Sequence, residues 1–331
     1  MSPLRAGLLG RAIRIHATGG AEQMSLESLP VPAPVSDAVL VRVEAAGVNF
    51  IDVYKRSGLY AVPLPATLGE EGAGVVVATG EGVAGISIGD RVAWTGVLGS
   101  YADYAQVPSA KVVPIPSTVS TREAGAIMLQ GMTAHYLATS TFPLKPGHRC
   151  LVHAGAGGVG LLLVQIAKAR GAYVIATVGS AEKAELAGGA GADETILYRE
   201  QDFVAETRRV TGGQGVHVVY DSVGETTFLK GLDVLVPRGT MVLFGQSSGP
   251  VVPLNPQLLN SKGSLFLTRP TLAHYTATRE ELLARASDLF GMISGGALSV
   301  RIGAEFPLAE AAIAHRALEG RKTAGKVLLH P

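Results

Sequence analysis

The first third of the chain alternates apolar and polar residues with a period of two. The pattern is clearest at 12–16 and 40–45, and glycine-bounded apolar runs follow at 72–80 and 91–94. Because such alternation points one set of side chains inward and the other outward, these segments are predicted to be half-buried strands. Short strands punctuated by glycine indicate a small antiparallel barrel or sandwich.

From about residue 124 the pattern changes to apolar strands that alternate with helical segments. Strands are predicted at 148–153, 172–178, 195–198, 216–221, 240–244 and 264–268. Helices are predicted at 124–137, 161–170, 181–188 and 226–235. Strands and helices that alternate at this spacing predict a parallel sheet covered on both faces.

The last part of the chain begins with a long predicted helix. Thr278 is its expected N-cap, with Glu281 at the third helical position, and Gly295 ends it. Strands at 298–302 and 326–329 are predicted to flank a helix at 308–319. We expect this tail to rejoin the β-rich part. The predicted domains are therefore 1–129, 130–275, and a return to the first domain over 276–331.

Composition supports a globular protein of about two domains. The 331 residues are 47% hydrophobic and 17% charged, and the formal net charge is +1. No run of Lys or Arg stands out, so no nucleic-acid partner is expected. No targeting segment or apolar stretch of membrane length is recognised, which predicts a cytoplasmic protein. The lone cysteine, Cys150, cannot form an intrachain disulfide or a four-cysteine zinc site.

The strongest motif is the glycine turn at 153–160. An apolar strand precedes it and an apolar helix follows it directly. Small residues here let the backbone turn sharply and let a pyrophosphate approach the N–H groups at the helix N-terminus. The turn therefore predicts a dinucleotide site.

The end of the following strand indicates which dinucleotide binds. Sites for NAD usually place Asp or Glu there to hold the ribose hydroxyls. This chain instead has Gly179, Ser180 and, one short turn later, Lys183, while Tyr198 could cover the adenine end. A 2′-phosphate would be accepted by these residues and repelled by a carboxylate, so NADPH is the predicted cofactor. The alternatives are a helix N-cap for Ser180 and a solvated charge for Lys183.

A zinc mechanism is not expected. None of the eight histidines forms a His-x-x-x-His pattern, and no Cys-x-x-Cys is present. The segment from Gly245 to Gly249 matches a nucleophile motif only in part. Because Gly245, Gln246 and Ser247 follow a sheet strand, we interpret them as a loop that faces a phosphate or ribose.

Together these segments resemble the zinc-free quinone oxidoreductases of the medium-chain dehydrogenase/reductase superfamily, which include zeta-crystallin. The resemblance rests on 47–54, 56–60, the glycine turn, 219–224, 244–249 and 267–270. It implies an α/β fold in which a Rossmann doubly wound parallel sheet is joined to a β-rich GroES-like barrel domain. It also implies NADPH as reductant, a small-molecule quinone as substrate, and a homodimer or tetramer.

The resemblance also implies individual roles. Asn49 and Glu70 stand where zinc-dependent relatives carry a cysteine and a histidine ligand, so no metal is expected. The residues that match the family's cofactor contacts are Asn49, Phe50, Tyr54, Gly157, Gly158, Val159, Ser180, Lys183, Tyr198, Ser222, Phe244, Ser247, Leu267, Thr268 and Arg321. His135, Gly179, Gly245, Gln246 and Arg269 complete the candidate cofactor set. His135 and Gln130 stand where some members carry Tyr and Lys, and we expect both to flank the nicotinamide.

Catalysis in such a site would consist mostly of positioning, because quinones accept a hydride readily. Asn49 would hold the nicotinamide end or an acceptor oxygen. Tyr54 and Tyr60 would line the pocket, with Tyr54 as a candidate proton donor. The alternatives are a structural amide for Asn49 and packing roles for the two tyrosines.

Two other functions fit the same sequence. One is NADPH-dependent reduction of activated alkenes such as enals and enones, which needs the same cofactor and fold. The other is a non-enzymatic protein that senses NADPH or binds RNA. The near-neutral charge counts against RNA.

Overall fold

The computed structural model describes residues 7–331. Its strands are β1 Leu9–Ile15, β2 Ser25–Pro30, β3 Ala38–Val48, β4 Ala66–Thr67, β5 Glu71–Thr79, β6 Arg91–Thr95, β7 Tyr104–Pro108, β8 Val113–Pro114, β9 Arg149–Val152, β10 Tyr173–Val178, β11 Glu194–Leu197, β12 Val216–Asp221, β13 Leu235–Leu243, β14 Phe266–Thr268, β15 Ile302–Pro307 and β16 Lys326–His330. Its α-helices are α1 Phe50–Ser57, α2 Thr121–Tyr136, α3 Gly158–Ala169, α4 Ala181–Gly189, α5 Phe203–Val210, α6 Phe228–Gly231, α7 Gln257–Ser261, α8 Leu272–Tyr275, α9 Arg279–Ser294 and α10 Ala311–Glu319.

The chain divides into two compact units. The first unit contains the described residues up to Met132, together with Thr276–Gly296 and Val300–Pro331. The second contains Thr133–Tyr275 and Ala297–Ser299. The division after Met132 falls inside α2, whereas the sequence-based boundary precedes Gln130.

The second unit is built on a six-stranded sheet in the order β11-β10-β9-β12-β13-β14. Every pairing in it is parallel. Numbered from β9, the order is 3-2-1-4-5-6, which is the doubly wound order of dinucleotide-binding sheets. The central strands β10 and β12 are buried along nearly their whole length, as expected when both faces are covered. The predicted parallel sheet is confirmed, and its order reverses between β9 and β12, where such sheets bind ligands.

The first unit holds a seven-stranded sheet and a three-stranded sheet. In the larger sheet β3 pairs antiparallel with β5, β7 and β16. Strand β16 comes from the C-terminal tail, and its Val327 lies opposite Val48 at the end of β3. The prediction that the tail rejoins the β-rich part is confirmed. The core of this unit is formed by inward residues of these strands, including Val41, Trp94 and Leu329.

The helix predicted near 226–235 is present in a shorter form, as α6 and one 3-10 turn, Leu232–Val234, and it ends there because Leu235 already pairs with Val216 as β13 begins. One element prediction is wrong. The strand predicted at 298–302 is irregular, and β15 starts only at Ile302, where it meets Lys326 of β16. Burial of Leu298 explains the misleading apolar pattern, since a buried loop residue resembles a strand position.

The start of α9 is confirmed in detail. Thr278 Oγ1 accepts the Glu281 backbone N–H at 3.2 Å, and the Glu281 carboxylate accepts the Thr278 N–H at 3.4 Å. Both partners of the predicted capping box are therefore in place.

Across residues 7–331, no helix combines the length and the apolar character that a membrane crossing requires.

Candidate active site

The glycine turn joins β9 to α3 at the point where the sheet order reverses. Gly157 is the N-cap of α3 in an extended conformation, and no side chain caps this helix end. Ala154 has a positive φ of 54°, which is unusual for a residue with a side chain. The first N–H groups of α3 thus lie at a helix N-terminus without a side-chain acceptor, which suits an anion.

Two glycines make this approach possible. A Cβ at Gly160 would lie 2.3 Å from the carbonyl oxygen of Ala154, so the helix could not pass so close to the turn. A Cβ at Gly155 would lie 2.6 Å from the Cβ of Ala176 on β10. The turn, which also contains Gly158 and Val159, therefore has the shape of a pyrophosphate cradle, and its residues fit a dinucleotide.

The end of β10 has the composition that the sequence indicated for a 2′-phosphate. Ser180 is the N-cap of α4, and its Oγ accepts the Lys183 N–H at 3.4 Å. Tyr198 is 38% exposed, and its hydroxyl would lie 2.8 Å from a Cβ at Gly179. The nearest acid in the sequence, Glu182, lies in the first turn of α4. Ser180 and the Tyr198 hydroxyl thus lie at a strand end without a carboxylate at its tip, and Lys183 follows in the first turn of α4.

The loops after β12 and β13 contact each other. The Ser247 N–H donates to the Ser222 carbonyl at 3.1 Å, and a Cβ at Gly245 would lie 2.7 Å from the same oxygen. The structure therefore brings Ser222 together with the segment Phe244–Ser247, which includes Gln246. Leu267, Thr268 and Arg269 lie at and just beyond the end of β14, the edge strand next to β13.

Asp221 shapes this loop pair, and sequence reasoning did not select it. Its Oδ1 accepts the N–H groups of Val223 at 2.7 Å and Gly224 at 3.0 Å, and the Thr227 hydroxyl donates to both carboxylate oxygens. The signal available in the sequence was an aspartate at the end of an apolar strand, three residues before a glycine. The structure shows that this aspartate is fully buried.

His135 lies in the last turn of α2, directly before a short π-helix, Leu137–Thr141. The Thr139 hydroxyl donates to the His135 carbonyl at 2.7 Å, and the buried Tyr220 hydroxyl donates to the Leu137 carbonyl at 3.2 Å. Segments of π-helix occur frequently at functional sites. The His135 side chain itself is 8% exposed.

The aromatic candidates of the first unit lie on and after α1. The rings of Tyr54 and Tyr60 are edge-on, with centroids 5.3 Å apart, and the Phe50 ring lies 6.1 Å from that of Tyr54. Tyr60 is 36% exposed. These three residues form one aromatic cluster. Arg321, also in this unit, is exposed with a φ of 56°.

Asn49 belongs to a buried group that we call the Lys326 cluster: Lys326, Glu71, Asn49 and Gln130. Asn49 Nδ2 donates to Glu71 Oε2 at 2.9 Å and to the Gly47 carbonyl at 3.1 Å. Asn49 Oδ1 accepts from Lys326 Nζ at 2.8 Å and from Gln130 Nε2 at 3.0 Å. Lys326 also forms an ion pair with Glu71. The Asn49 amide therefore has a protein partner for each of its two hydrogens and two lone pairs.

Sequence reasoning missed Glu71 and Lys326. Their side chains are 0% and 2% exposed, although charged residues are almost never fully buried unless paired. Burial lowers the pKa of Lys326, while the Glu71 carboxylate opposes this effect by favouring the charged amine. The partners are 255 positions apart, so no local pattern could reveal the pair.

A second chain of hydrogen bonds, the Asp52 chain, runs from Arg56 through His315 and Tyr101 to Asp52. Arg56 Nη1 lies 3.2 Å from His315 Nδ1, and a guanidinium can only donate, so this nitrogen must accept. His315 Nε2 then carries the proton that faces Tyr101 Oη at 3.2 Å, and the tyrosine hydroxyl donates to Asp52 Oδ2 at 3.0 Å. Burial, together with Arg56, lowers the pKa of His315 to about 3, which agrees with a neutral ring.

Asp52 ends this chain at the start of α1. Its Oδ2 also accepts the Asn49 backbone N–H at 2.9 Å, whereas its buried Oδ1 has no partner. Burial raises the pKa of Asp52 to about 7, although hydrogen bonds from the Asn49 N–H and Tyr101 oppose that change. The carboxyl group is therefore held partly protonated near neutrality.

The residue at the second zinc-ligand position also has a partner. Glu70 is 7% exposed and forms an ion pair with Lys55 of α1. Among the described residues, no group of three or more His, Cys, Asp or Glu side chains is arranged to hold a metal ion.

The parallel sheet with its glycine turn and the antiparallel β-rich unit define a two-domain dehydrogenase or reductase. Residues 35–117 match the family model described as alcohol dehydrogenase GroES-like domain, and residues 158–288 match the one described as zinc-binding dehydrogenase. The chain is 45% identical over 323 residues to quinone oxidoreductase 1 of Escherichia coli, covering 96% of this chain and 99% of that protein. It belongs to the quinone oxidoreductase family of the medium-chain dehydrogenase/reductase superfamily.

Two further comparisons refine this placement. The crystal structure of the Escherichia coli quinone oxidoreductase complexed with NADPH superposes with a TM-score of 0.95 at 44% identity, covering 97% of this chain and all of that one. A 2-haloacrylate reductase from a Burkholderia species is 40% identical over 328 residues, covering 96% of this chain and 98% of that protein. The resemblance inferred from the sequence and the Rossmann and GroES-like fold class are confirmed.

Replacing Lys183 tests the 2′-phosphate site. Lys183→Ala is expected to weaken NADPH binding about tenfold, ~1.4 kcal/mol, and to leave NADH binding unchanged, because only NADPH carries the phosphate. Calorimetric titration of both cofactors measures this. Lys230→Ala, which removes an exposed lysine paired with Asp202, is the charge-matched control. Equal losses for NADPH and NADH would contradict the assignment.

Replacing Asp52 tests its raised pKa. In the wild type, folded Asp52 retains a proton that the unfolded chain has released, so its contribution to stability is present below pH 4 and is lost as pH rises through about 7. Asp52→Asn has no such loss. The free energy of unfolding of the variant minus that of the wild type should rise by up to about 1.4 kcal/mol per pH unit between these limits and then level off. Urea titrations from pH 4.5 to 8.5 measure it, and parallel curves would refute the raised pKa.

Proposed function

We propose that this chain is an NADPH-dependent quinone reductase that transfers a hydride to a quinone without zinc. The observation that carries the proposal is the glycine turn together with the end of β10. Ser180 and Lys183 follow that strand, and the carboxylate typical of NAD sites is missing there. Membership in a family whose relatives include the NADPH-bound Escherichia coli enzyme supports the same cofactor and the quinone class of acceptor.

The cofactor would be held by residues that the turn and the loops supply. The N–H groups around Gly157, Gly158 and Val159 bind the pyrophosphate, and Ser180, Lys183 and Tyr198 bind the 2′-phosphate end next to Gly179. When bound, NADPH supplies the hydride. The remaining members of the proposed set are Asn49, Phe50, Tyr54, His135, Ser222, Phe244, Gly245, Gln246, Ser247, Leu267, Thr268, Arg269 and Arg321.

The acceptor would pack against the aromatic cluster of Phe50, Tyr54 and Tyr60. Offset and edge-on contacts between rings favour a flat acceptor, and Tyr54 is the proposed proton donor. Asn49 and Glu70 stand where zinc-dependent relatives carry their ligands. Here they are engaged with Lys326 and Lys55, which supports a metal-independent reaction.

Turnover with matched acceptors tests the proposal. NADPH oxidation should be at least tenfold faster, in kcat/KM, with 1,2-naphthoquinone than with a 2-alkenal, because the quinone accepts a hydride with little acid–base help. Stopped-flow absorbance at 340 nm measures both reactions. A clear preference for the alkenal would overturn the quinone assignment.

A second candidate is reduction of activated alkenes. The 40% identity to a 2-haloacrylate reductase favours it, because that relative acts on a carbon–carbon double bond next to a carboxylate. 2-Haloacrylate, assayed beside the quinone, distinguishes the two functions.

The proposed assembly is a homodimer. Strand β14 is the outer strand of its sheet, and its Phe266 is 61% exposed, so an unpaired edge and an apolar side chain coincide. Cytoplasmic location and the absence of a nucleic-acid partner stay predictions of the sequence.

Replacing Phe266 tests the dimer. Phe266→Glu should shift the protein from dimer to monomer in multi-angle light scattering, because a charge at the edge opposes strand pairing. Leu229→Glu, on the exposed face of α6, is the matched control and should leave the mass unchanged. A monomeric wild type, or an unchanged Phe266→Glu dimer, would contradict the proposal.

A further inference from the structure

Ala154, in the glycine turn, adopts a backbone conformation that its side chain disfavours. Its φ of 54° lies in the left-handed region, where a Cβ comes close to the following carbonyl oxygen. A residue with a Cβ populates this region about tenfold less than its usual conformations, whereas glycine enters it freely. Such a conformation persists only where neighbouring contacts hold it, so Ala154 must be held by the residues around it.

The conformation of Ala154 determines where α3 begins. The Ala154 carbonyl accepts the Gly157 N–H at 2.8 Å, and Gly157 is the N-cap of α3. A Cβ at Gly160, in the first turn of α3, would lie 2.3 Å from the same carbonyl oxygen. The start of the helix is therefore packed against this peptide group, so a rotation at Ala154 would move the first N–H groups of α3.

Thr177, near the end of β10, bonds to the residues on both sides of Ala154. The Thr177 carbonyl accepts the Gly155 N–H at 3.0 Å, and the Thr177 hydroxyl shares a hydrogen bond with His153 Nδ1 at 2.9 Å. We call these two hydrogen bonds the Thr177 clamp. Backbone pairing between β9 and β10 ends one position before Thr177. The clamp thus continues the contact between the two strands and spans the residue with the positive φ.

The His153 ring is fixed by its surroundings. Its side chain is 2% exposed, and the ring is perpendicular to that of Phe203, with centroids 4.8 Å apart. Burial lowers the pKa of His153, while the Asp221 carboxylate opposes this effect, so the ring is neutral near pH 7. Within residues 7–331, His153 Nε2 is buried and makes no hydrogen bond. The hydroxyl of Thr177 is therefore the hydrogen-bond partner that holds this ring.

We propose that His153 and Thr177 are positioning residues that hold Ala154 in its left-handed conformation and thereby give the glycine turn its pyrophosphate-binding shape. The inference rests on the proposed function, because the pyrophosphate belongs to the proposed cofactor. Neither side chain is assigned a contact with that cofactor. Without the clamp, fewer molecules hold the turn in its binding shape, and the apparent affinity falls in proportion to the fraction that does.

Replacing the Thr177 hydroxyl tests the clamp through binding. Thr177→Val removes the hydroxyl and keeps a β-branched side chain suited to a strand. It should bind NADP⁺ about tenfold more weakly than the wild type, whereas Thr177→Ser, which keeps the hydroxyl, should stay within about threefold of it. Adenosine 2′-monophosphate carries the 2′-phosphate but no pyrophosphate, so all three proteins should bind it equally. Isothermal titration calorimetry measures both ligands.

Thr207→Val is the matched control. It removes a buried threonine hydroxyl of α5 that makes no hydrogen bond within the described chain, so NADP⁺ affinity should stay unchanged. Unchanged NADP⁺ binding by Thr177→Val would overturn the inference. An equal loss of adenosine 2′-monophosphate would also overturn it, because that result shows general damage to the end of β10. If the wild type bound no NADP⁺, the proposed function itself would fail, so the two failures are distinguishable.

A glycine at position 154 tests whether the clamp acts through that residue. In an Ala154→Gly background the positive φ no longer needs to be held, so adding Thr177→Val should lower NADP⁺ affinity by less than about twofold. A tenfold loss that persists in this background would show that the clamp does not act through Ala154.

The double variant His153→Phe/Thr177→Val keeps the test decisive if Thr177→Val alone is too unstable to assay. It removes both polar partners of the side-chain hydrogen bond together, so neither is left buried and unpaired, and it keeps a ring against Phe203. Its NADP⁺ affinity should also fall about tenfold, with adenosine 2′-monophosphate binding retained. Wild-type affinity for NADP⁺ in this variant would contradict the positioning role.

Discussion

The ion pair between Glu71 and Lys326 is the interaction on which the first unit's candidate site depends. It joins the start of β5 to the start of β16, and through Asn49 and Leu129 it reaches the first residues of α1 and the middle of α2. A buried ion pair contributes little net stability, because desolvation of both charges offsets their attraction. Its role here is to fix an orientation. The Lys326 ammonium can only donate and the Glu71 carboxylate can only accept, so the Asn49 amide between them has a single orientation.

In the second unit, the backbone at the glycine turn gives an anion access to N–H groups. Gly155 and Gly160 remove the side chains that would keep α3 away from the sheet, and no side chain caps the helix. The same logic recurs after β12, where the Asp221 carboxylate gathers backbone N–H groups and shapes a loop. The sheet order then places both loops at the edge where ligands of doubly wound sheets bind.

The Asp52 chain connects a titrating carboxyl group to the start of α1. Arg56, His315 and Tyr101 form a hydrogen-bond sequence with one possible direction, and it ends on a carboxyl group that burial keeps partly protonated. This group holds the first turn of α1, which carries Phe50 and Tyr54, so the geometry of the aromatic cluster is tied to a titrating residue.

Much of this protein was determined by local sequence. Period-two and helical patterns located the strands and helices, Thr278 and Glu281 marked a capped helix start, and the glycine turn with Ser180 identified the class of ligand, because each signal depends on residues close together in the chain. Tertiary structure decided what lies far apart. The strand predicted at 298–302 was wrong, because pairing with β16 begins only at Ile302 and places β15 after that point. The Lys326–Glu71 pair could not be predicted, because its partners are 255 positions apart. A hydrogen bond requires two groups to meet, and only the folded chain determines which distant groups do.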